Sequence, residues 1–566
     1  MKKITILILL VATKIVAQTP LFIPDTLLGP SYNLTMHVDS VQFFPGQISH
    51  TYAFNNNKYL GPTLILNKGE NININVTNLL PDTTTVHWHG LHVPAMWDGG
   101  PFTTIMSGQS WHPQFKVMDN AATYWYHPHL HKKTALQAIR GAAGLIIVRD
   151  SIEAQLNLPR KYGIDDFPII VQCQQYDSLN QAMPLGMQDS TLLVNGTQNP
   201  YLDAPAQMVR MRLLNASGER AFNFGFSNNI PFKQIASDGG LLNSPFDTNR
   251  VRLGPGERAE IVINLQGINT PFIYLMSYAS EMPMGMQGGP TMPMPVGSPP
   301  MDSPLNGINF NILKINIVAP TQNPVTTIPA TLTQNIIYTE QQANMTRTIR
   351  FTADSLMVMD GPFYFNDSTF DMMRVDYKIP LGSVEIWKLV NMTMVAHPFH
   401  IHDVQFYLLD RNESVPSKAE QGRKDVVLVP AFDSVRFITK FTDFVDTIIP
   451  YMYHCHILMH EDAGMMGQFM VVPNTTNIKK LDEGNHFNVY PNPTKDTWTI
   501  KGNASSSNVS IQLINAIGSI LLEDNIKLAT HLFQYTIPSQ NYPAGIYHLT
   551  IRSSNQSQTI KIIKTE

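Results

Sequence analysis

The chain has little charge, few cysteines and no long apolar run. Charged residues make up 14 % of its 566 positions, and the net charge of −4 comes without a basic cluster, so nucleic acid is not an expected partner. Only two cysteines, Cys173 and Cys455, are present, which excludes a framework of several disulfides, although one bridge is compatible with composition alone. No stretch reaches the roughly 18 consecutive apolar residues of a membrane-spanning helix, so the mature chain is expected to lack one.

The sequence does contain ample apolar material, arranged in short runs. Hydrophobic residues make up 43 % of the chain, and runs rich in Val, Ile, Thr and Tyr, such as 72–76 and 426–429, are broken by Gly, Pro and Asn. This punctuation is typical of β-sandwiches, and no long amphipathic helical period is evident. We therefore predict an all-β protein with three sandwich domains over residues 18–160, 161–325 and 326–473.

The amino end has the pattern of a secretory signal. Lys2 and Lys3 precede the apolar run 4–12, and Ala17 offers a small-residue cleavage point. A positive segment followed by a short apolar segment is typical of a signal peptide and is too short to span a bilayer. We predict that residues 1–17 are this signal.

The carboxyl end has the pattern of a separate module. Residues 474–486 are polar and predict a linker, and alternating runs such as 509–514 predict a small β-sandwich over residues 487–566. The opening Tyr490-Pro-Asn-Pro493 and the segment Pro543-Ala-Gly-Ile-Tyr547 resemble the C-terminal sorting domain of the type IX secretion system. That resemblance implies a Bacteroidetes-like Gram-negative source and the type IX machinery as a partner. It also implies export through the periplasm, to the cell surface or beyond it.

Ten of the 18 histidines fall in four short clusters. Imidazole is the commonest protein ligand for borderline-soft metals, and the sulfur atoms of Cys and Met add softness. A lone histidine is typically a packed or surface residue, whereas four clusters in one chain predict a metal protein. The clusters are His87-Trp-His89-Gly90, His127-Pro-His129, His397-Pro-Phe-His400-Ile-His402 and His454-Cys455-His456-Ile-Leu-Met-His460.

Strand periodicity sorts these side chains into two sites. Residues i and i+2 of a strand point to the same face, so each His-x-His pair shares a face, and the four pairs supply eight imidazoles. Cys455 lies between His454 and His456 and therefore faces the opposite way. His397, three residues before His400, also turns away from its pair, and His460 and Met465 follow Cys455 in a turn that can fold back. We predict one site of eight imidazoles and another of one Cys, two His and one Met.

The second set has a known chemistry. A trigonal set of two histidines and one cysteine with a weak axial methionine is the blue-copper electron-transfer site. Zinc is the rival metal, but a structural zinc site closes with four ligands, which is fewer than the clusters provide. One backbone step joins Cys455 to each flanking histidine, which gives an electron a short covalent route between the two sites.

These motifs resemble the multicopper oxidase family, and the similarity covers nearly all of the body of the chain. The most specific motif is His454-Cys-His-Ile-Leu-Met-His-Glu-Asp-Ala-Gly-Met-Met466, supported by His87-Trp-His-Gly90 with Trp97-Asp-Gly-Gly100, Tyr124-Trp-Tyr-His-Pro-His129 and His397-Pro-Phe-His-Ile-His402. The surrounding sequence is similar to that of bacterial cuprous oxidases, bilirubin oxidases and spore-coat laccases. The resemblance implies three cupredoxin-like Greek-key β-sandwich domains, one-electron oxidation of a substrate, and reduction of O₂ to water.

The resemblance also implies four copper ions, one of type 1, one of type 2 and two of type 3, and a ligand set for each. The type 1 copper takes His397, Cys455, His460 and axial Met465; the type 2 copper takes His87 and His400; one type 3 copper takes His89, His127 and His456; the other takes His129, His402 and His454. The second sandwich carries no copper motif, so we expect it to be a structural bridge between the first and the third.

Two carboxylates complete the implied site. Asp98 matches the family acid near the type 2 copper, and Glu461 matches the acid that relays protons to the trinuclear cluster. Reduction of O₂ to water consumes protons that metals alone cannot supply, so acids are needed there. The neighbouring Asp462 is expected to be structural.

The reducing substrate is indicated by a methionine-rich segment. Seven methionines lie between Met276 and Met301, among glycines and prolines whose density predicts a loop. Exposed thioethers suit Cu(I), and cuprous oxidases of the family carry a Met-rich segment, although theirs lies in the third domain. Capture of Cu(I) by this loop is one hypothesis; a laccase-like phenol or bilirubin oxidase is the alternative. A non-catalytic copper-binding cupredoxin protein is the alternative from outside the enzymes.

Overall fold

The structure is a computed structural model, and it describes residues 18–184, 188–291, 303–355, 358, 361–474, 487–504, 506–515, 519–530, 532–553 and 556–565. The predicted signal peptide 1–17, linker residues 475–486 and the methionines Met292, Met294 and Met301 lie outside the described residues. The described chain is nearly all β, which confirms the predicted fold class. It forms two compact units, Met1–Pro473 and Asn474–Glu566. The domain borders expected from the sequence stay predictions.

The first sandwich packs two five-stranded sheets, ordered β2-β5-β11-β10-β7 and β4-β3-β6-β8 with β9 beside β6, around a core that includes Trp88, Tyr124 and Tyr126. β1 belongs to a sheet of the second sandwich. The elements are β1 Thr19–Pro20, β2 Thr26–Leu28, β3 Ser31–Val41, β4 Ser49–Phe54, β5 Thr63–Asn67, β6 Asn71–Asn78, β7 His87–His89, β8 Ser110–Trp111, β9 Gln114–Lys116, β10 Ala122–His127, α1 Thr134–Ile139, β11 Gly144–Arg149 and α2 Ser151–Ala154.

The second sandwich packs a six-stranded sheet, β1-β16-β24-β23-β18-β21, on an eight-stranded one, β15-β14-β12-β17-β22-β19-β20 with β13 beside β12. Its core contains Cys173, and both cysteines are free, so the Cys173–Cys455 bridge that composition permits does not form. The strands are β12 Asp166–Tyr176, β13 Ala182–Met183, β14 Thr191–Val194, β15 Thr197–Gln198, β16 Pro200–Pro205, β17 Met208–Asn215, β18 Phe222–Phe226, β19 Phe232–Ser237, β20 Gly240–Thr248, β21 Val251–Leu253, β22 Arg258–Asn264, β23 Phe272–Ser277 and β24 Phe310–Val318.

The third sandwich packs two five-stranded sheets, β26-β25-β28-β32-β30 and β27-β34-β33-β29-β31, around a core that includes Trp387, Phe399 and Cys455. Its elements are β25 Met345–Ala353, β26 Phe363–Phe365, β27 Tyr377–Pro380, β28 Val384–Asn391, β29 His397–Ile401, β30 Tyr407–Arg411, β31 Val426–Val429, β32 Ser434–Lys440, β33 Tyr451–Cys455, α3 Leu458–Asp462 and β34 Met466–Val472. The 3₁₀ turns described in these sandwiches are Ala95–Trp97, Ser227–Asn229, Ala279–Glu281, Glu340–Gln342 and Lys418–Glu420.

The carboxyl-terminal unit has its own small core. Alternating residues of its strands, including Trp498, Ile511 and Leu549, point inward between a three-stranded sheet, β35-β36-β39, and a four-stranded sheet, β38-β37-β40-β41. The strands are β35 Phe487–Tyr490, β36 Thr497–Asn503, β37 Asn508–Asn515, β38 Ile520–Lys527, β39 Leu532–Pro538, β40 Gly545–Ser553 and β41 Gln556–Lys564. In the described part of the chain, no helix has both the length and the apolar character needed to cross a membrane.

Candidate metal centres

Strand register brings the histidine pairs together. In the first sandwich, antiparallel β7 and β10 place His87 opposite His127; in the third, β29 and β33 place His400 opposite His454. The two groups meet between the sandwiches, where His87 stacks on His402 with ring centroids 3.8 Å apart. The same eight imidazoles that strand parity selects therefore share one buried space, which we call the imidazole pocket: His87, His89, His127, His129, His400, His402, His454 and His456.

Within the imidazole pocket, the potential ligand atoms fall into overlapping groups whose members lie within 4.8 Å of one another. The groups are His87, His89 and His400; His89, His127 and His456; His129, His402 and His454; and His87, Asp98 and His402. Two of these groups have the membership that the family resemblance implies for the two type 3 coppers. The type 2 pair, His87 and His400, occurs together in the first group.

Several of these imidazoles turn one nitrogen toward the protein and leave the other facing the pocket. His87 Nδ1 lies 2.8 Å from the Asp98 carbonyl oxygen, and His400 Nδ1 lies 2.8 Å from that of Asp425. His402 Nδ1 lies 2.7 Å from Asp98 Oδ2. The Nε2 atoms of all three rings are buried without a hydrogen-bond partner. A buried polar atom without a partner is costly, and metal-ligating histidines bond their second nitrogen in this way, so the pocket fits bound metal.

A second group surrounds Cys455 at the end of β33. Cys455 Sγ lies 3.5 Å from His397 Nδ1 and 3.6 Å from His460 Nδ1. The Met465 side chain is fully buried, and its backbone bonds to both His460 and Cys455, at 2.8 and 3.0 Å, which keeps it in the same turn. We call His397, Cys455, His460 and Met465 the cysteine site. Its donor set of imidazole, thiolate and thioether is the one that copper uses for electron transfer.

Burial sets the protonation of the cysteine site. It lowers the pKa of His397 well below its ordinary value and that of His460 to about 3, so both rings are neutral and available to a metal. Burial also raises the pKa of the Cys455 thiol, so a bound cation is the group that would hold it as a thiolate. Thr393 Oγ1 lies 2.9 Å from His397 Nε2 and directs the other nitrogen, Nδ1, toward the sulfur.

The two predicted carboxylates contact the imidazole pocket. Asp98 touches His87 and His402, as given above, and Glu461 lies 3.3 Å from His129 Nδ1 and 3.1 Å from His454 Nδ1. Burial by itself raises the pKa of Glu461, but the facing imidazoles outweigh it and hold that pKa below its usual range. By contrast, the Asp462 carboxylate accepts backbone N–H groups at the start of α1, which is a structural role.

Sequence reasoning missed Asp425 and Phe363. Asp425 Oδ1 lies 3.2 Å from His89 Nε2, and the Phe363 ring lies 4.7 Å from the His397 ring and 4.5 Å from the His460 ring. In the sequence, Asp425 stands immediately before the apolar run Val426–Val429. An acidic residue at the start of such a buried strand is itself buried rather than part of a surface turn, and this is the signal that could have identified it. Phe363 carries no comparable signal.

The methionine-rich segment is only partly a loop of exposed thioethers. Met276 belongs to β23, and Met282 and Met286 are buried against Ala396 and Leu428, whereas Met284 is 55 % exposed. Residues 282–291 form neither helix nor strand, as the glycines and prolines predict. The Ala396 amide donates to the Gly285 carbonyl at 3.2 Å, and the Gln287 amide donates to the Ala396 carbonyl at 2.9 Å. The described part of this loop thus packs on the residue next to His397.

Comparison with known families agrees with this geometry. Three models described as "Multicopper oxidase" match residues 37–153, 170–291 and 330–475. A model described as "Secretion system C-terminal sorting domain" matches residues 488–565. The three oxidase matches fall on the three sandwiches, and the fourth falls on the carboxyl-terminal unit.

Individual proteins are also similar to this chain. The chain is 33 % identical to the multicopper oxidase mco of Staphylococcus haemolyticus, over 78 % of this chain and 88 % of that protein. It is 30 % identical to the cell division protein FtsP of Sodalis glossinidius, over 81 % and 94 % of the two chains. Among solved structures, the laccase-like multicopper oxidase CueO from the lignin-degrading bacterium Ochrobactrum sp. matches with a TM-score of 0.70 and 30 % identity, over 80 % of this chain and all of that one.

Proposed function

Because the chain belongs to the multicopper oxidase family, we propose that it couples one-electron oxidation of a small reducing substrate at the cysteine site to reduction of O₂ in the imidazole pocket. The observation that carries this proposal is the joint geometry of the two sites, one with Cys455 and one with eight imidazoles, joined by the single tripeptide His454-Cys455-His456. Copper held at the cysteine site would supply one-electron transfer, and copper held in the imidazole pocket would supply reduction of O₂ by four electrons and four protons to two waters.

The proposed ligands follow the groups described above. The cysteine site would hold one copper and the imidazole pocket three, with His87 and His400 for type 2, His89, His127 and His456 for one type 3 ion, and His129, His402 and His454 for the other. The unpartnered, buried nitrogens of His87, His400, His402 and His456 support metal in the pocket, because each needs a partner that the protein does not supply.

The protein groups have defined tasks in this scheme. Asp98 Oδ2 lies 2.7 Å from His402 Nδ1 and Glu461 Oε2 lies 3.1 Å from His454 Nδ1, and each carboxylate can carry a proton to the developing water. Cys455 is one residue from His454 and from His456, so the backbone itself links the two sites. The surrounding apolar core, with Phe363 against His397 and His460, excludes water from the cysteine site.

For the substrate we propose Cu(I), delivered along the methionine-rich loop. Supporting this, the loop packs on Ala396, next to His397. Met284 is exposed, and a Cβ on its neighbour Gly285 would lie 3.1 Å from the Met394 carbonyl oxygen. Thioether sulfur is a soft donor that selects Cu(I) over harder cations. A laccase-like oxidation of phenols remains the second candidate, and a non-catalytic copper-binding protein would bind copper without consuming O₂.

Replacement of the exposed Met284 together with Met292 and Met294 tests this assignment. In a variant carrying Met284→Leu, Met292→Leu and Met294→Leu, we expect the rate of Cu(I) oxidation to fall about tenfold, a loss of ~1.4 kcal/mol in transition-state stabilisation, with phenol oxidation unchanged. The matched control is Met282→Leu with Met286→Leu, which conserves the buried packing and should leave both rates alone. Equal Cu(I) rates in all three proteins would refute delivery by the loop and favour the phenol oxidase.

Transport across the outer membrane is proposed to depend on the carboxyl-terminal unit. Removal of residues 475–566 is expected to leave the specific oxidase activity unchanged, because that unit has its own core and contributes none of the proposed ligands. The truncated protein should then accumulate in the periplasm of a host that secretes the full chain through a type IX system. Cell fractionation and oxygen uptake measure the two effects separately, and secretion of the truncated protein would contradict the assignment.

A further inference from the structure

We infer that residues 254–258 of the second sandwich position the imidazoles of the pocket, although that sandwich supplies none of the proposed ligands. Arg258 acts through Asp425, and Gly256 acts on His456. The inference rests on the proposed function, because it assigns these residues a task toward the coppers of the imidazole pocket.

Asp425 contacts imidazoles from two sandwiches. Its Oδ1 lies 3.2 Å from Nε2 of His89, a residue of the first sandwich, and its carbonyl oxygen lies 2.8 Å from Nδ1 of His400, a residue of the third. His89 Nδ1 faces His127 Nε2 at 3.2 Å, inside the pocket, so Nε2 is the nitrogen that donates to the carboxylate. Such a bond fixes both the tautomer and the orientation of the ring.

Arg258 fixes this carboxylate in turn. Its two terminal nitrogens each lie 2.6 Å from an oxygen of Asp425, a bidentate pair that is fully buried. The remaining three N–H groups donate to the carbonyl oxygens of Thr123, Gly256 and Asp238 at 3.0 to 3.1 Å. All five guanidinium donors are thus used, on partners from all three sandwiches, and lysine could not reproduce this planar fork.

Two glycines show how closely the Arg258–Asp425 pair and the backbone of the second sandwich pack against the imidazole pocket. Gly90, with φ +89°, follows the pair His87 and His89, and a Cβ there would lie 2.5 Å from an Asp425 oxygen and 2.7 Å from an Arg258 nitrogen. Gly256, with φ +83°, lies against His456, where a Cβ would come within 2.9 Å of the ring. The backbone of the second sandwich therefore forms a wall of the imidazole pocket, and a side chain at Gly256 would displace the His456 ring.

The variant Arg258→Lys distinguishes a positioning role of Arg258 from a merely structural one. With the copper-loaded Arg258→Lys protein, we expect the affinity of the pocket for copper, measured as metal retained against a chelator, to fall about 10- to 100-fold. We also expect an altered paramagnetic spectrum of the type 2 copper, with the visible absorption of the cysteine site unchanged. The control is Arg212→Lys, because Arg212 is also buried in the second sandwich, where it bonds the carboxylates of Asp166 and Glu260. This variant should have lower thermal stability but should keep the pocket copper and its paramagnetic spectrum.

The variant Gly256→Ala tests the positioning role independently of Arg258, and its result stands even if Arg258→Lys does not fold. Gly267, with φ +79°, has the same backbone strain, but a Cβ there would have no other atom within 4 Å. We expect Gly256→Ala to lose copper from the pocket and Gly267→Ala to retain it. If each variant retained pocket copper as its control does, the positioning role would be wrong. If instead the unmodified protein bound no copper in the pocket, the proposed function itself would fail.

Discussion

Replacement of Cys455 by serine is expected to remove the visible copper–thiolate absorption and to lower the oxidase rate by a factor of at least about 10³. A loss of this size is seen when one member of a catalytic unit is removed. The physical reason is that this residue has two tasks. Its sulfur lies 3.5 and 3.6 Å from two neutral imidazoles, and its backbone joins the cysteine site to His454 and His456. Serine keeps the backbone but offers a weak, hard oxygen donor in place of a soft thiolate.

The chain provides a matched control for this experiment. Cys173 is the other cysteine, equally free and buried, but it packs in the core of the second sandwich. Cys173→Ser should keep both the absorption and the oxygen uptake, measured by optical spectroscopy and an oxygen electrode. Undiminished colour in Cys455→Ser would mean that the copper thiolate lies elsewhere.

Replacement of Glu461 by glutamine is expected to slow reduction of O₂ by about 10²- to 10⁴-fold, the range attributable to a side chain positioned for proton transfer. Glutamine has the same shape and can still face His129 and His454, but it cannot carry a proton to the pocket. The effect should appear in one half of the reaction only. Anaerobic bleaching by a reductant should proceed at the ordinary rate, whereas reoxidation of the bleached protein by O₂, followed by stopped-flow absorption, should be slow.

The adjacent acid serves as the control for Glu461. Asp462 accepts the backbone N–H groups of Thr134 and Ala135 at the start of α1, at 3.0 Å each. Asp462→Asn should therefore lower thermal stability, because the cap is weakened, and leave the reoxidation rate unchanged. If Glu461→Gln were reoxidised as fast as Asp462→Asn, the proton role would belong to another group.

Much of the candidate site could be predicted from sequence because its spacing is local. The alternation of a strand decides which neighbours of Cys455 face the imidazole pocket, and a turn of five residues returns His460 to the sulfur. Short apolar runs with glycine and proline between them likewise sufficed for the all-β class. The pairing of these strands was beyond such reasoning; β11, for instance, lies parallel to β5, from which five other strands separate it along the chain.

The contacts that complete the site depend on tertiary structure and left little trace in the sequence. Arg258 and Asp425 are 167 positions apart, and only folding makes their buried pair apparent. The methionine-rich loop illustrates the same limit. Glycine and proline predict its irregular backbone, but the burial of Met282 and Met286 depends on Ala396 and Leu428, which the third sandwich supplies. The second sandwich, expected to be a bridge alone, also reaches the pocket through Gly256.

Anomalous X-ray diffraction at the copper edge, from crystals of the copper-loaded protein, can locate the bound metal ions. The proposed ligand assignment predicts four copper peaks. One should lie between Cys455 Sγ and the Nδ1 atoms of His397 and His460, and three should lie among the eight imidazoles of the pocket. Peaks confined to other places, or an imidazole pocket without copper beside a filled cysteine site, would contradict it.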